Sequence, residues 1–349
     1  MYNNNDVFIN FGATKITILI FLSKYIMRKI AIICGGYSGE YEVSIKSAQV
    51  VKKHLDSTLY DSYIIVIKKG EWYHLTDDGR HVAVDKNDFS INIDGNKITF
   101  EAVFNAVHGI PGENGEILGY FEMLNIPYTS SNFTTCALTF NKDLTKHIAA
   151  AHGATVSPSV TINKGDIIDK KEIIEELGLP LFVKPTCNGS SVGVSKVNTE
   201  EDFDKAVETA FNAGDQIMCE KFVKGRELAC SVIEHKGKMM VLPLTEIVSK
   251  NEFFDYEAKY TNGKSDEITP AALEELEEIE VKATSAMLYE SFGCKGFARF
   301  DYILNEEGLF FIEVNIVPGM SEASIMPKQA AEMGIPLSRL FGMTLENIL

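Results

Sequence analysis

At 349 residues, with ordinary apolar and charged fractions, the chain is long enough for two or three domains with real cores, which excludes a disordered or fibrous protein. Asp and Glu number 49 against 33 Lys and Arg, a formal net charge of −16, which argues against a nucleic-acid or anionic-membrane surface; any phosphate ligand must be met by local cations and a metal in a cleft. The six cysteines are scattered, with no C-x-x-C pair and no zinc spacing, a usage that fits a reducing cytoplasm.

The first apolar run, Ile16 to Leu22, is far below a membrane span of ~20 residues and lacks a small-residue cleavage site. Residues 1–28 are therefore expected to be an N-terminal extension outside the fold. "KIAIICGG" reads as a buried strand ending in glycines, and "SGEYEVSIKSAQVVKKHL" as a helix with apolar spacing after Ser44, capped at its N-terminus. A strand in "YDSYIIVIKKGEWYHL", a third in "EAVFNAVHG" and a helix and turn in "GEILGYFEMLNIPYT" complete an α/β domain over 29–128. "TTCALTFNKDLTKHIAAAHG" reads as one helix, leading into a strand-dominated unit over 129–219. A third unit, 220–349, holds the long loop "SKNEFFDYEAKYTNGKSDEITP", an acidic helix from Ala271 to Ser291, a hairpin and a final helical region.

That hairpin, "GFARFDYILNEEGLFFIEVN", carries the strongest chemical signal. Glu306-Glu307-Gly308 reads as a three-residue loop with glycine in a left-handed position. If Asn305 pairs with Leu309, Asp301 lies opposite Glu313 and Arg299 opposite Asn315, while Ile312, Val314 and Ile316 fill the other face. Opposed carboxylates repel, so a bridging cation is the natural resolution, and oxygen ligands of this kind suit Mg²⁺ or Mn²⁺. A solvated charged strand face is the bland alternative.

Three weaker segments surround it. "VKPTCNGSSVGVSKV" sets Lys184 before a Gly/Ser-rich loop that reads equally as a phosphate cradle or a tight hairpin. It is not a Walker loop, since it leads to a strand. "HGIPGENGEILG" ends a strand with His108 and Glu113, either a ligand loop or a surface turn. "CEKFVKGRE" alternates like a half-exposed edge strand, and its carboxylates Glu220 and Glu227 could equally bind a ribose or an adenine amine.

Together, and in this order, "GGYSGEYEVS", "HGIPGENGEILG", "VKPTCNGSSVG", "FFDYEAKY", "ARFD" and "FIEVNIVPGMSEASIMP" resemble the ATP-grasp superfamily, and within it the D-alanine–D-alanine ligases, from about Lys29 to the C-terminus. The resemblance implies an ATP-grasp fold, α/β with α+β central and C-terminal parts, behind a Rossmann-like N-terminal domain. It implies that ATP drives the joining of two D-alanines through a D-alanyl phosphate. Asp301, Glu313 and Asn315 resemble the ligands of two Mg²⁺ or Mn²⁺ ions. Lys142 and Lys184 would contact the phosphates, the loop with Ser190 and Ser191 would close over them, Glu220, Lys221 and Val223 would line the adenine pocket, and Glu227 would take the ribose. Glu40, near His108, would hold the first alanine's ammonium and join Ser190 and Tyr260 in a hydrogen-bonded set. Lys259 and Ser324 would hold the second alanine's carboxylate, with Arg299 and the Gly319 N–H facing the oxyanion. Tyr260 is the dipeptide-making pattern; D-lactate or D-serine as acceptor, and a non-catalytic ATP-binding regulator, are the competing readings. Phe254 departs from a tyrosine frequent in the family, and Glu116-Ile117-Leu118 from a glutamine-bearing version. The family pattern further implies a cytoplasmic homodimer with no nucleic-acid or membrane partner.

Overall fold

The computed structural model describes residues 27–189, 191–249 and 265–349. Residues 1–26 of the expected extension, Ser190, Phe254, Lys259 and Tyr260 lie outside them, whereas Arg28, expected in the extension, is part of the fold as the first residue of a strand paired with Tyr60.

Strand β1 (Arg28–Gly35) is apolar on both faces because it is central: β2 (Tyr60–Lys68) and β7 (Ala102–Asn105) flank it in parallel. Helix α1 (Tyr41–His54) follows β1 directly. Ser44 is not near its cap. The helix begins three residues earlier, at Tyr41, and the buried Ser44 hydroxyl instead accepts from Gly35 N at 2.8 Å and donates to Ala106 O at 2.6 Å, locking the helix onto β1 and the chain after β7. "YDSYIIVIKKGEWYHL" is two strands, because Lys69 and Gly70 turn the chain into β3 (Glu71–Leu75). An antiparallel extension continues with β4 (His81–Asp85), β5 (Ser90–Ile93) and β6 (Asn96–Ile98), giving the order β6-β5-β4-β3-β2-β1-β7.

Helix α2 (Glu116–Met123) leads to α3 (Phe133–Phe140) and α4 (Lys142–Ala151), which replace the single helix expected there. Asn141 breaks it: its backbone turns extended while its side chain accepts from Asp143 N and Leu144 N, capping a new helix. Strand β8 (Thr155–Val156) joins the last sheet, whereas β9 (Ser159–Asn163) opens the middle one. That middle sheet, β11-β10-β12-β9, uses β10 (Leu181–Pro185), β11 (Ser195–Val197) and β12 (Gln216–Lys221), and is covered by α5 (Lys170–Leu177) and α6 (Phe203–Phe211). Its core, with Leu181, Val183, Phe203 and Ile217, is its own.

"CEKFVKGRE" is therefore not one edge strand. β12 is interior, the chain leaves the middle sheet at Phe222–Gly225, and β13 (Arg226–His235) runs through the centre of the third. That sheet adds β14 (Lys238–Val241), β15 (Thr245–Ser249), β16 (Ser265–Ile268), β17 (Phe297–Asn305) and β18 (Gly308–Asn315). The acidic helix α7 runs over Glu275–Ser291, four residues shorter than expected, because Glu274 caps it reciprocally with Glu277. Helices α8 (Ile325–Glu332) and α9 (Leu337–Glu346) end the chain. Cores shared by the first and third sheets, such as Ile33, Phe121, Val232 and Phe311, fuse those two, so the cleft opens between them and the separately cored middle sheet.

Candidate functional site

The hairpin register brings Asp301 opposite Glu313 and Arg299 opposite Asn315, as expected, but by another route. The loop is the two-residue Glu306-Glu307, since Asn305 pairs with Gly308 and not Leu309. A bulge between Tyr302↔Phe311 and Asp301↔Glu313 then absorbs Ile312 and restores the offset. Ile312 consequently leaves the core face and borders the cleft, half-buried, beside Glu313. Each carboxylate is held by a cation. Arg299 grips Asp301 through two 2.8 Å hydrogen bonds, from Nε to Oδ1 and Nη2 to Oδ2, and Lys142 Nζ lies 3.6 Å from Glu313 Oε2. Burial works against the Arg299 charge, yet Asp301 and Glu313 more than offset it and hold the guanidinium above its ordinary value.

Among the described residues no three His, Cys, Asp or Glu side chains gather into a ready cage. Here the third donor is an amide, Asn315, whose Oδ1 accepts from Val317 N at 3.1 Å. Two opposed carboxylates and an amide form an all-oxygen set, which suits Mg²⁺ or Mn²⁺ better than zinc.

The α3/α4 break delivers the first lysine. Lys142 opens α4, its N–H bonding Thr186 O at 2.9 Å and its Nζ reaching Asn188 O at 2.8 Å, so it links the Gly/Ser loop to the carboxylate face. Lys184, near the end of β10, donates to Glu220 Oε2 at 2.5 Å. The other oxygen, Oε1, takes Lys146 Nζ at 2.5 Å and Ser157 Oγ at 2.7 Å. Neither Lys146 nor Ser157 was legible in the sequence, where Lys146 is one more polar residue on a helix. Burial alone would raise the Glu220 carboxyl, but Lys184 and Lys146 pull it down to about 2 from its ordinary 4.5. Because the folded carboxyl is depressed, its contribution is present above about 4.5 and lost as pH falls towards about 2. Glu220→Gln should therefore cost about 3 kcal/mol in urea unfolding at pH 7. The gap to wild type should narrow steadily in acid; a constant gap would remove the ionic account.

Glu40 ends the turn that opens α1 and sits between two glycines of distant segments. A Cβ on Gly109 would lie 2.7 Å from Glu40 Oε2, and one on Gly189, in the Gly/Ser loop, 2.6 Å from the same atom. His108 is buried close by. Its Nδ1 donates to Val317 O at 2.8 Å, leaving Nε2 to accept from Ser47 Oγ at 2.8 Å, and burial lowers its pKa, so the ring is neutral. Glu113, in the same cleft, is pushed well up, by burial first and then by the charge of Glu40. Across the cleft Ser324 shares a 2.7 Å hydrogen bond with Ser321 at the start of α8, and a Gly319 side chain would collide with it.

The remaining wall is aromatic. Phe222 packs edge-on to Phe182 at 5.7 Å between centroids, and Lys196 Nζ lies 4.5 Å over the Phe222 ring. One cleft of about 1300 Å³ thus gathers Glu40, His108, Glu113, Lys142, Lys184, Ser191, Glu220, Lys221, Val223, Glu227, Arg299, Asp301, Glu313, Asn315, Gly319 and Ser324, every expected site residue that is described. A flat slot, paired lysines, a carboxylate face and a pocket beside Glu40 can bind a nucleoside triphosphate and a small zwitterion together.

Two family models match the chain: D-ala D-ala ligase N-terminus over residues 29–131 and D-ala D-ala ligase C-terminus over 148–346. The chain is 45% identical over 322 residues to a D-alanine–D-alanine ligase of Christiangramia forsetii, covering 92% of this chain and 98% of that protein. To the enzyme of the same name from Flavobacterium johnsoniae it is 43% identical, over 92% and 99%. Among solved structures it is similar to D-alanyl-alanine synthetase A of Vibrio cholerae, at 29% identity, TM-score 0.84, and 92% and 98% coverage. VanG D-Ala:D-Ser ligase of Enterococcus faecalis superposes at 30% identity and TM-score 0.81 over 92% and 99%. A Bacillus anthracis D-alanine–D-alanine ligase complexed with ATP follows at 27%, TM-score 0.73, over 91% and 96%.

Proposed function

The chain belongs to the D-alanine–D-alanine ligase family, with an ATP-grasp fold and ATP-dependent joining of two D-alanines for cell-wall synthesis as its activity, and from that premise we propose how the cleft divides the work. The observation that carries the proposal is the facing of the Arg299/Asp301/Glu313/Asn315 strand pair with Lys142 and Lys184 in one cleft.

Adenine stacks in the slot beside Phe182 and Phe222, against Glu220, Lys221 and Val223, with the ribose at Glu227. Lys142 and Lys184 meet the phosphates, and the loop carrying Ser190 and Ser191 closes on them. Glu40, with neutral His108 near it, fixes the first D-alanine's ammonium, so that its carboxylate takes the γ-phosphoryl and becomes an acyl phosphate. Asp301, Glu313 and Asn315 would hold two Mg²⁺ or Mn²⁺ ions, which when bound neutralise charge on the transferring phosphoryl group. Ser324 and Lys259 hold the second D-alanine's carboxylate. As its amine attacks the acyl carbon, Arg299 and the Gly319 N–H stabilise the oxyanion. Closure of the loop, and of the segment carrying Tyr260, excludes water from the acyl phosphate.

The expected bounds at 129 and 220 differ from the sheets: α3, α4 and β8 pack with the first and third sheets, and β12 carries Glu220 and Lys221 in the middle one. We assign the enzyme to the cytoplasm, where its ATP is made and where the free cysteines stay reduced, and to a homodimer on the family's pattern. No helix of the described residues is long and apolar enough to cross a membrane. The test is acceptor competition with ATP and Mg²⁺, offering D-alanine alone and then with equimolar D-serine and D-lactate. D-alanyl-D-alanine with ADP and phosphate is expected, from a species at twice the 38.7 kDa chain mass by light scattering. Dominant D-alanyl-D-serine or depsipeptide would overturn the acceptor, and bound ATP without product the whole division of roles.

A further inference from the structure

Lys146 has no part in that division, yet it is among the most buried cations of the described residues. Its side chain is 4% exposed, that of Glu220 5% and that of Lys184 9%. Besides Glu220 Oε1 at 2.5 Å, the Lys146 ammonium donates to Ser157 O at 2.7 Å, and Ser157 Oγ bonds Oε1 in turn. Two ammonium groups on one buried carboxylate is one more than neutrality requires. They are not equivalent: Lys184 and Glu220 border the cleft, whereas Lys146 lies behind them.

We propose that Lys146 is a positioning residue, the standing counterion of Glu220 that frees Lys184 to leave this carboxylate for the phosphates of ATP. A buried carboxylate stripped of its partner is strongly destabilising, so a lone Lys184–Glu220 pair would resist any ligand that draws the lysine away. With Lys146 and Ser157 fixed on Oε1, Lys184 can move while Glu220 stays paired. Its departure also opens Oε2 as an acceptor aimed into the cleft, where the exocyclic amine of adenine supplies a donor. The same group turned towards the carbonyl oxygen of guanine would meet only repulsion. Binding of triphosphate and recognition of the base are thus coupled through one lysine exchange.

The inference rests on the assignment of Lys184 to the phosphates, and calorimetric titration of ATP into four full-length variants separates the two. Lys184→Met should weaken ATP binding; an unchanged affinity overturns that assignment and the exchange with it. Lys146→Met should weaken ATP roughly tenfold or more and raise KM for ATP more than it lowers kcat. In the Glu220→Gln background, where there is no carboxylate for Lys146 to keep paired when Lys184 leaves, adding Lys146→Met should change ATP affinity by less than about threefold. A merely structural lysine would cost the same affinity in both backgrounds, and that result overturns the proposal, as does wild-type ATP affinity in Lys146→Met when Lys184→Met is impaired. The ATP-over-GTP preference should fall in Glu220→Gln, giving a second readout independent of folding yield.

Discussion

Replacing Arg299 by methionine should lower kcat for D-alanyl-D-alanine formation by roughly 10²- to 10³-fold, the usual consequence of losing one preorganised oxyanion donor. The guanidinium does two things at once. It is a donor in the cleft, and it is the bidentate partner of Asp301, with side-chain exposures of 16% and 11%. Removing it therefore leaves Asp301 directly opposite Glu313 with Lys142 as the nearer remaining cation, 3.6 Å from the other carboxylate. Repulsion between the two acids should then favour a bridging cation more strongly and lower the divalent ion needed for half-maximal rate. Arg299→Lys keeps the charge but not the planar fork, and should fall between wild type and Arg299→Met. Steady-state rates over a titration of Mg²⁺ separate the roles. A kcat deficit that persists at saturating Mg²⁺ belongs to the oxyanion, whereas full recovery there would mean that Arg299 serves only to balance Asp301.

That strand pair also shows how far sequence reasoning reaches. The facing of Asp301 and Glu313 was legible because alternation along two strands and a turn of acidic residues and glycine constrain the register tightly. The count nevertheless passed through two offsetting errors, a loop one residue too long and an unseen bulge at Ile312. A bulge has no composition signature in a run such as Phe310-Phe311-Ile312, since each residue suits either face. The break that aims Lys142 was hidden for a related reason. Asn141 is tolerable inside a helix and better as a cap, and only the docking of Lys142 N on Thr186 O, a contact between distant segments, decides between them. Lys146 was invisible altogether. A buried lysine on a helix reads as a solvated one until its carboxylate, 74 positions away, is seen to approach it. Motifs pointed to the residues that line the cleft; tertiary pairing alone reveals those that hold them in place.

Gly189→Ala should cut kcat/KM for D-alanine by roughly 10²-fold, the scale expected when a positioning group is displaced by about 1 Å. No unusual backbone is needed to argue this. The added methyl would sit 2.6 Å from Glu40 Oε2, 3.3 Å from Oε1 and 3.2 Å from the carboxyl carbon, so either the loop or the carboxylate must yield. Gly109→Ala presses the same oxygen from the other side, at 2.7 Å, and adds the strain of φ +67°, so it should be at least as damaging. With Glu40 in the role proposed for it, at the first D-alanine, both substitutions act on that pocket, and the loss should appear in KM for that substrate before it appears in the affinity for ATP. Gly119→Ala is the control. It lies on α2 with nothing within 4 Å of its added methyl, and should leave kinetics alone while stabilising the helix by about 0.5–1 kcal/mol. If Gly189→Ala behaved like Gly119→Ala, the contact between the phosphate loop and Glu40 would carry no function, and the coupling of loop closure to the seating of the first D-alanine would have to be abandoned. If it behaves as expected, Gly189 is explained by the Glu40 carboxylate, while Gly109, 80 positions away, answers to that carboxylate together with Ser38 and its own positive φ.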